Sequence, residues 1–382
     1  MRWYGPNDVL SLKDLKQAGI AGIVTSLHEI PVGDIWTREA IEGRKQLIEN
    51  HGLEWSVIES LPVHDDIKKK SGNYKEYIEN YKISLRNIGD CGIEVVAYNF
   101  MPILDWVRTD HFYENKEGAT VLKYDPVKFI FFDLFLLKRK NAEKDYSDDQ
   151  ISAAKKLEEQ LSSEEKENLF RNILLGLPGS KENFTPELIK DLLETYKHVD
   201  DEKLREHLIF FLNEVAPVAE EAEVKLAIHP DDPPFSVLGL PRVVGTEKDI
   251  EYILENVNVN ANGLCYCTGS LGANPKNDLL RIFDKFRDRI HFLHLRNVTK
   301  ESSGVFMESN HLDGDVPMTE VVKRILKLMQ DRQQSLPMRP DHGYLHSMEA
   351  HMNYYAGYSF IGRLKGLAEL RGLELGLLET FK

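Results

Sequence analysis

Four residues with metal-binding side chains each stand at the end of a short apolar run. They are His229, Cys267, His294 and Asp341. Imidazole, thiolate and carboxylate groups together bind Mn(II), Fe(II) or Zn(II), and a bound cation would keep the thiol of Cys267 deprotonated. If the four runs are neighbouring strands, their ends bring these side chains together. The sequence then predicts a divalent metal site whose open positions accept substrate oxygens.

Each of the four residues also has an ordinary structural role as an alternative. His229 could cap a loop before Pro230, and Cys267 could be a small buried apolar residue. His294 could be a core histidine, with His291 as a competitor for the ligand role, and Asp341 could cap a turn. The coincidence of four such residues at four strand ends favours the metal site.

Other polar residues are expected at the same rim. His342 follows Asp341 directly, so it could stand beside the metal as an acid or base. Arg296 lies two positions after His294 and could bind a carboxylate with two parallel hydrogen bonds. Ser270 could offer a hydroxyl group from the loop that follows Cys267. These residues are candidate substrate-binding and proton-transfer groups.

A second group of polar residues comes from other strand ends. His311 lies in the loop 310–315, where a turn is an equally good interpretation. His28, Glu59 and His64 follow the second and third apolar runs and could bind a polyol. We therefore expect His311, His28 and Glu59 to contribute to substrate binding.

The elements that must position these side chains are apolar runs that alternate with helix-like stretches. Eight such runs occur, at residues 2–5, 21–27, 53–58, 93–98, 224–228, 263–266, 290–293 and 336–339. Helical spacing predicts helices such as 74–90, 247–256 with Thr246 as its cap, and 362–370. This alternation predicts an α/β protein with a closed (β/α)8 TIM barrel, whose active site lies at the carboxyl ends of the strands. An open doubly wound sheet is the alternative, but no glycine-rich turn opens a helix after the first run.

One stretch is too long for an ordinary connection between a strand and a helix. Residues 104–203 combine charged runs with an apolar, aromatic run at 129–137. We interpret 1–382 as a single TIM-barrel domain and 104–203 as a helical insertion within it, after the fourth strand and on the active-site side. The run 129–137 is expected to pack on the barrel or on a second subunit, which would suit a homodimer.

Composition narrows the classes of partner and location. The 382 residues include 48 Lys and Arg against 62 Asp and Glu, for a net charge of −14. Nucleic acids and anionic membranes need a basic surface, so neither is expected as a partner. Three cysteines are too few for a disulfide framework, and no signal-like or membrane-spanning apolar run occurs, so a cytoplasmic protein is expected. Cys265 lies on the same strand face as Cys267 but deeper in the barrel, which predicts a packing role.

The motifs together resemble the mannonate dehydratase family of hexuronate degradation. The similarity extends along nearly the whole chain, at residues 2–7, 24–28, 55–60, 62–64, 227–234, 267–270, 294–297, 311–315, 339–343 and 357–366. It implies a TIM barrel of the xylose-isomerase-like type that depends on Mn(II) or Fe(II). It also implies dehydration of D-mannonate to 2-dehydro-3-deoxy-D-gluconate and water, with the four residues named first as metal ligands.

The resemblance further implies an acid–base pair made of a histidine beside the ligand aspartate and a tyrosine after it. The histidine corresponds to His342. Tyr354, Tyr355 and Tyr358 compete for the second role, and we choose Tyr358 because it lies in the motif that ends in Gly362 and Arg363. Elimination needs such a pair, because the proton at C2 must be removed and the hydroxyl at C3 must be protonated as it leaves.

Three other functions compete with dehydration. A metal-dependent sugar isomerase or epimerase would use the same barrel and metal, usually with more carboxylates. A metallo-phosphoesterase acting on nucleic acid is disfavoured by the net charge of −14. A sugar-binding protein without catalysis leaves the clustered His, Cys and Asp residues unexplained. Release of water from the substrate separates dehydration from isomerisation.

Overall fold

A computed structural model describes residues 1–175, 185–301 and 303–379 of the chain. Its elements follow the predicted alternation of strands and helices. In chain order they are α1 (Leu12–Gln17), β1 (Gly22–Thr25), α2 (Arg38–Glu49), β2 (Glu54–Glu59), α3 (Asp65–Lys69), α4 (Tyr74–Asp90), β3 (Val95–Tyr98), β4 (Asp110–Glu114), β5 (Thr120–Tyr124), α5 (Pro126–Phe131), α6 (Asp148–Gln160), α7 (Ser163–Leu174), α8 (Pro186–Thr195), α9 (Asp201–Glu221), β6 (Lys225–Ile228), α10 (Glu247–Asn256), β7 (Asn262–Cys267), α11 (Thr268–Gly272), α12 (Leu279–Phe286), β8 (Ile290–Leu295), β9 (Asn297–Lys300), β10 (Phe306–Ser309), α13 (Met318–Arg332), β11 (Met338–Pro340) and α14 (Phe360–Leu378).

The central sheet is parallel and forms a nearly closed barrel. Within the described residues it has seven strands in the order β1-β2-β3-β6-β7-β8-β11. The predicted first strand, 2–5, is reduced to a single bridge between Arg2 and Val24. The extended segment ends at once because Gly5 adopts a φ of +88°, in the left-handed region, and Pro6 follows it with no N–H to donate. The first of the eight expected strands is therefore present only as this bridge.

The barrel interior is filled by small and β-branched side chains. Val24, Val57, Val95, Ala97, Ala227, Cys265 and Phe292 form one buried cluster contributed by six strands. Every residue of β7 and β8 is buried, because the barrel interior covers one face of these strands and the helices cover the other. The strands therefore hold their ends in fixed relative positions.

Two helices around the barrel, α10 and α4, begin and end where local sequence signals predict. Thr246 and Asp249 form a reciprocal capping pair at the start of α10, and α4 ends just before Gly92, whose φ is +72°. Apolar side chains of α9, such as Leu208 and Leu212, face the core. Among the helices of the described ranges, none combines the length and apolar character needed to cross a membrane.

The segment predicted as a helical insertion contains strands as well as helices. A turn at Asn115–Gly118 joins β4 to β5, with the Asn115 side chain accepting hydrogen bonds from the N–H groups of Glu117 and Ala119. This hairpin pairs with β9 and β10 in a four-stranded antiparallel sheet of order β4-β5-β10-β9. The stretch expected to be a helical insertion therefore also contains two strands. Residues 176–184 of the predicted insertion lie outside the described residues.

The aromatic run 129–137 packs inside its own chain. It forms the end of α5 and one turn of π-helix, Phe132–Leu137. Phe129, Phe131 and Phe132 are at most 3% exposed and belong to a second apolar cluster with α7 and α8. The run therefore supplies the core of this part of the molecule.

Candidate active site

The strand register brings three residues of the site into one row. Cys267 on β7 is paired with His294 on β8, and His294 is paired with Arg339 on β11. His229 directly follows β6, and its N–H donates to the carbonyl of Tyr98 at 2.9 Å. Parallel strands that end at the same rim therefore place these side chains side by side.

The structure brings the four predicted metal-binding residues together. One donor atom each of His229, Cys267 and His294 lies within 4.8 Å of the others. Nε2 of His229 is 3.1 Å from Nδ1 of His294, and Oδ2 of Asp341 is 3.9 Å from the same His294 nitrogen. Three of the four predicted donors thus form one group, and Asp341 lies next to it.

The outer nitrogens of both histidines are held by oxygen atoms. Nδ1 of His229 lies 2.7 Å from the carbonyl of Pro230, which can only accept, so this nitrogen carries a proton and Nε2 faces the other donors. Nε2 of His294 lies 3.4 Å from Oε1 of Glu59. Support of this kind fixes ring orientation in protein metal sites, so the ring orientations fit a cation held between the two imidazoles.

The two cysteines of β7 have opposite electrostatic environments. Burial alone would raise the pKa of the Cys267 thiol, but Arg296, His229 and His294 hold it well below its usual range. The hydroxyl of Ser270 lies 3.2 Å from the Cys267 sulfur. Burial raises the pKa of Cys265 well above its usual range. Cys267 is therefore set up as a thiolate, the form that binds metals, whereas Cys265 packs as a neutral thiol.

The charges around the donors also suit a divalent cation and a carboxylate. Guanidinium groups of Arg2, Arg108, Arg296 and Arg339 lie among the anionic groups of Glu59, Asp232, Cys267, Glu308 and Asp341. With His229 neutral, these four guanidinium groups and five anionic groups together carry one net negative charge. A divalent cation converts it to one net positive charge, which matches the single negative charge of a sugar acid. The mixed imidazole, thiolate and carboxylate donors fit a divalent transition-metal ion.

Arg339 links the predicted residue Glu59 to the metal-binding row. Its Nε and Nη2 atoms donate to the two oxygens of Glu59, each at 2.9 Å, and Nε also lies 3.1 Å from Nε2 of His294. Arg339 also donates to Asp341. Burial would raise the pKa of Glu59, but Arg339 holds it well below its usual range. Glu59 therefore acts first as the partner that orients Arg339 and His294.

Arg296 belongs to a buried quartet of two arginines and two carboxylates. Its Nη2 atom donates to Asp232 at 2.8 Å, and its Nε atom lies 3.5 Å from Glu308. Arg108 donates to the same two carboxylates, at 2.6 Å and 3.1 Å. Each of the four side chains is at most 7% exposed. The Arg296 guanidinium is thus engaged by protein carboxylates, whereas the sequence predicts that it binds the substrate carboxylate.

His342 is held in an unusual backbone conformation beside this quartet. Its φ is +48°, in the left-handed region that is uncommon for residues other than glycine. Its Nδ1 atom lies 3.1 Å from both Oε1 of Glu308 and Nη1 of Arg296. Such strain at a site is maintained by the surrounding contacts and fixes the direction of the imidazole.

Tyr358 is the one of the three candidate tyrosines that the structure places beside His342. Their rings are 5.2 Å apart and nearly perpendicular. Burial, followed by the Asp341 carboxylate, raises the pKa of Tyr358. Tyr355 is 44% exposed, and Tyr354 interacts with Glu349 away from the cleft.

A cleft of about 440 Å³ opens between these groups. Residues from the barrel rim and from the segment after β3 line it, namely Glu59, Asn99, Met101, Asp105, Trp106, His229, Asp232, Arg296, Arg339, Asp341, His342 and Tyr358. This polar lining suits a small polar substrate that lies beside His229, Asp341 and the two candidate proton-transfer residues.

Three predicted substrate-binding residues lie beside the cleft lining. Ser270 bridges Cys267, Asp232 and Arg296, so its hydroxyl is used inside the protein. His311 lines a neighbouring cavity of about 360 Å³ on the other side of Asp341 and His342. His28 stands near Arg2 and Tyr4, and burial lowers its pKa to about 3. For these residues the structure indicates supporting positions.

Sequence reasoning missed several charged residues of the site. Asp232 lies within the motif 227–234 and Arg339 within 339–343, so both were visible in motifs but were given no role. Arg108 lies two residues before β4 and Glu308 lies on β10, and 200 positions separate them. No local pattern connects two residues at that distance. The pairing of β4 with β5 and of β5 with β10 brings their side chains together.

The comparisons with known proteins agree with this architecture. The sequence signature of the D-mannonate dehydratase (UxuA) family matches residues 1–382. A mannonate dehydratase from Marinomonas sp. (strain MWYL1) is 50% identical over 385 residues, covering 99% of this chain and 98% of that protein. One from Saccharophagus degradans is 46% identical over 379 residues, covering 97% and 96%.

Solved structures support the same assignment. A mannonate dehydratase from Streptococcus suis serotype2 has a TM-score of 0.79 and 34% identity, and the match covers 100% of this chain and 93% of that chain. A xylose isomerase-like TIM barrel protein from Mycobacterium smegmatis has a TM-score of 0.52 at 15% identity, covering 97% and 87%, and shares the fold alone. The predicted TIM barrel is confirmed, and the chain belongs to the D-mannonate dehydratase family.

Proposed function

We propose that this protein dehydrates D-mannonate to 2-dehydro-3-deoxy-D-gluconate and water by a metal-assisted acid–base elimination. One observation carries the proposal. In a chain of this family, the donor atoms of His229, Cys267 and His294 lie within 4.8 Å of one another, and His229 lines a cleft together with His342 and Tyr358.

His229, Cys267, His294 and Asp341 would hold the metal, which we propose to be Mn(II) or Fe(II). When bound, the cation supplies positive charge that stabilises the negative charge developing next to the substrate carboxylate. Arg296 keeps the Cys267 sulfur in its thiolate form. Glu59 and Arg339 keep His294 in orientation.

We assign the two proton transfers to His342 and Tyr358. His342 would remove the proton at C2, because a neutral imidazole can accept a proton near neutral pH. Tyr358 would protonate the departing C3 hydroxyl, because its raised pKa keeps the phenol protonated. The 5.2 Å separation of the two rings suits groups that act on adjacent carbon atoms.

The proposal extends to partners and location. The net charge of −14 supports a small-molecule substrate and no nucleic acid or membrane partner. All three cysteines are free, which supports a cytoplasmic protein. We propose a homodimer through the partly buried residues Leu134, Phe135 and Leu136, on the outer side of the second apolar cluster. Light scattering at micromolar concentration tests the homodimer.

The decisive experiment removes the metal and restores one ion at a time. The chelated protein is incubated with D-mannonate after addition of Mn(II), Fe(II), Zn(II) or Mg(II). We expect 2-dehydro-3-deoxy-D-gluconate to form with Mn(II) or Fe(II) and to be absent from the chelated sample. Formation of an isomer or epimer of the same mass as the substrate would instead support a sugar isomerase or epimerase.

A further inference from the structure

One stretch of the cleft lining has no part in the elimination described above. It consists of Asn99, Met101, Asp105 and Trp106, which follow β3. The ring of Trp106 stands nearly perpendicular to His342 at 6.0 Å, so this lining begins directly beside the proposed proton-transfer group. A substrate longer than three carbons must extend past His342 into this part of the cleft or out of the cleft.

The backbone of this stretch is held from outside by two buried cationic side chains. Nζ of Lys68 donates to the carbonyl of Met101 at 2.8 Å, and Arg242 donates to the carbonyl of Leu104. Lys68 is 6% exposed and Arg242 is 5% exposed. A stretch fixed in this way presents its side chains in set positions and loses little freedom when a ligand binds.

The polar groups of this stretch have few partners of their own. Within the described residues, the Asp105 carboxylate accepts one hydrogen bond, from the Asn99 amide at 3.3 Å. Burial raises the pKa of Asp105, which reflects this shortage of donors. The indole N–H of Trp106 has no hydrogen-bond partner among the described residues. The Asp105 carboxylate, the Asn99 amide and the Trp106 indole N–H thus lie together on one side of the cleft.

This set of groups matches the hydroxyl groups of a polyol. If C1 and C2 of a sugar acid lie at the metal-binding donors and C3 lies at His342 and Tyr358, the remaining carbons extend toward Asn99 and Asp105. We propose that Asn99 and Asp105 bind the hydroxyl groups on C5 and C6 of the sugar acid and so select its chain length and its configuration at C5. This inference rests on the proposed function, because that function fixes the end of the substrate at which chemistry occurs.

A hydrogen bond from a hydroxyl group to a carboxylate sets the size of the expected effect. Such a bond contributes about 1.5–3 kcal/mol, which corresponds to about 10- to 100-fold in kcat/KM. We therefore expect Asp105→Asn and Asn99→Ala each to lower kcat/KM for D-mannonate by about 10- to 100-fold. The loss should come mainly from KM, because the groups act away from the reacting carbons.

Two analogues, one with a shorter chain and one epimeric at C5, test whether Asp105 binds the hydroxyl groups on C5 and C6. A four-carbon analogue with the C2 and C3 centres of D-mannonate lacks C5 and C6, and its affinity is measured as an inhibition constant against D-mannonate. We expect this constant to be the same in Asp105→Asn and the wild type, within about twofold. The C5 epimer of D-mannonate should be disfavoured by the wild type and less so by Asp105→Asn.

Asp110→Asn is the matched control. Asp110 lies on β4, where its carboxylate accepts from the N–H of Phe112 at 2.9 Å, and this variant should retain the wild-type constants. An unchanged KM in Asp105→Asn, an equal loss with the four-carbon analogue, or a loss confined to kcat would each overturn the subsite. Failure of the wild type to dehydrate D-mannonate would refute the proposed function instead.

Discussion

Nε2 of His229 lies 3.1 Å from Nδ1 of His294, and the two rings come from strands that are not adjacent in the sheet. Burial would lower the pKa of His229, but the Cys267 sulfur and nearby carboxylates raise it to about 9. Without a metal these anionic groups therefore favour the protonated form of the His229 imidazole. A divalent cation held by the same residues would take the place of this proton.

The first prediction separates the two cysteines of β7. Cys267→Ser should lose metal affinity by more than about 100-fold, since even residues that only support a ligand contribute about 10- to 100-fold. Cys265→Ser should keep the metal and the activity, because Cys265 lies in the apolar barrel interior. Metal analysis of both purified variants measures the difference, and a thermal melt shows whether either has lost its fold. Equal metal loss in both variants would contradict the assignment of Cys267.

The second prediction concerns the choice among the tyrosines. Tyr358→Phe removes only the phenolic hydroxyl and should lower kcat by about 10²–10⁴, the usual contribution of a general acid. Tyr355→Phe is the control, because Tyr355 is 44% exposed, and it should retain kcat within about twofold. Steady-state kinetics at saturating metal measures both. A wild-type kcat in Tyr358→Phe would remove this residue from the mechanism.

The third prediction concerns Arg296, whose guanidinium contacts Asp232 and Glu308 in the structure. Lysine keeps the charge but cannot reproduce the planar contacts to Asp232 and Ser270. Arg296→Lys should lower the free energy of unfolding by about 1–3 kcal/mol. Arg281→Lys, at an exposed arginine of α12, should change it by less than about 0.5 kcal/mol. Urea unfolding compares the two, and a rise in KM without loss of stability would restore the direct carboxylate contact.

The fourth prediction is a loss of stability in acid. Burial lowers the pKa of His291 from its usual value of 6.5 to about 4, and its Nδ1 atom lies 3.0 Å from the carbonyl of Leu226. In the unfolded chain His291 takes up a proton below pH 6.5, whereas in the folded protein it does so only near pH 4. The stability that the neutral ring contributes is therefore present above pH 6.5 and is lost as the pH falls to 4. The slope of the free energy of unfolding against pH reaches at most about 1.4 kcal/mol per pH unit for this one proton.

Urea unfolding between pH 7 and 4 measures this slope. His291→Gln should reduce it by about one proton equivalent, because glutamine does not titrate. His51→Gln replaces an exposed histidine, so this variant should show the same slope as the wild type. The same slope in all three proteins would show that His291 is not buried in its neutral form.

Local signals explain why much of the barrel could be predicted from the sequence. The bounds predicted for α4 and α10 are the observed ones, because each helix has clear terminal residues such as Thr246 and Gly92. The prediction for α14 stopped at Leu370, but the helix continues to Leu378 through Gly372 and Gly376. Glycine inside a helix costs only about 1 kcal/mol, so it does not end a helix by itself.

The site was predictable only where it depends on strand ends. His229, Cys267 and His294 each close a strand, and the rule for barrels then places them together. Arg108 precedes β4 and Glu308 lies on β10, and these two strands of the antiparallel sheet are far apart in the chain. Their position depends on a long-range pairing that no periodicity in the sequence indicates.

The last prediction concerns His342. Asparagine tolerates the left-handed conformation that His342 adopts at a φ of +48°, so His342→Asn should keep the fold and the metal. It should lower kcat by about 10²–10⁴, because the imidazole that moves the proton is lost. His351→Asn, at an exposed histidine, should retain wild-type activity. If His342 instead only supports Asp341, the variant would bind metal about 10- to 100-fold more weakly and would recover wild-type kcat when Mn(II) is added in excess. Titration of Mn(II) into the variant therefore decides between proton transfer and support, and full recovery would leave Tyr358 as the one proton-transfer residue of the proposed pair.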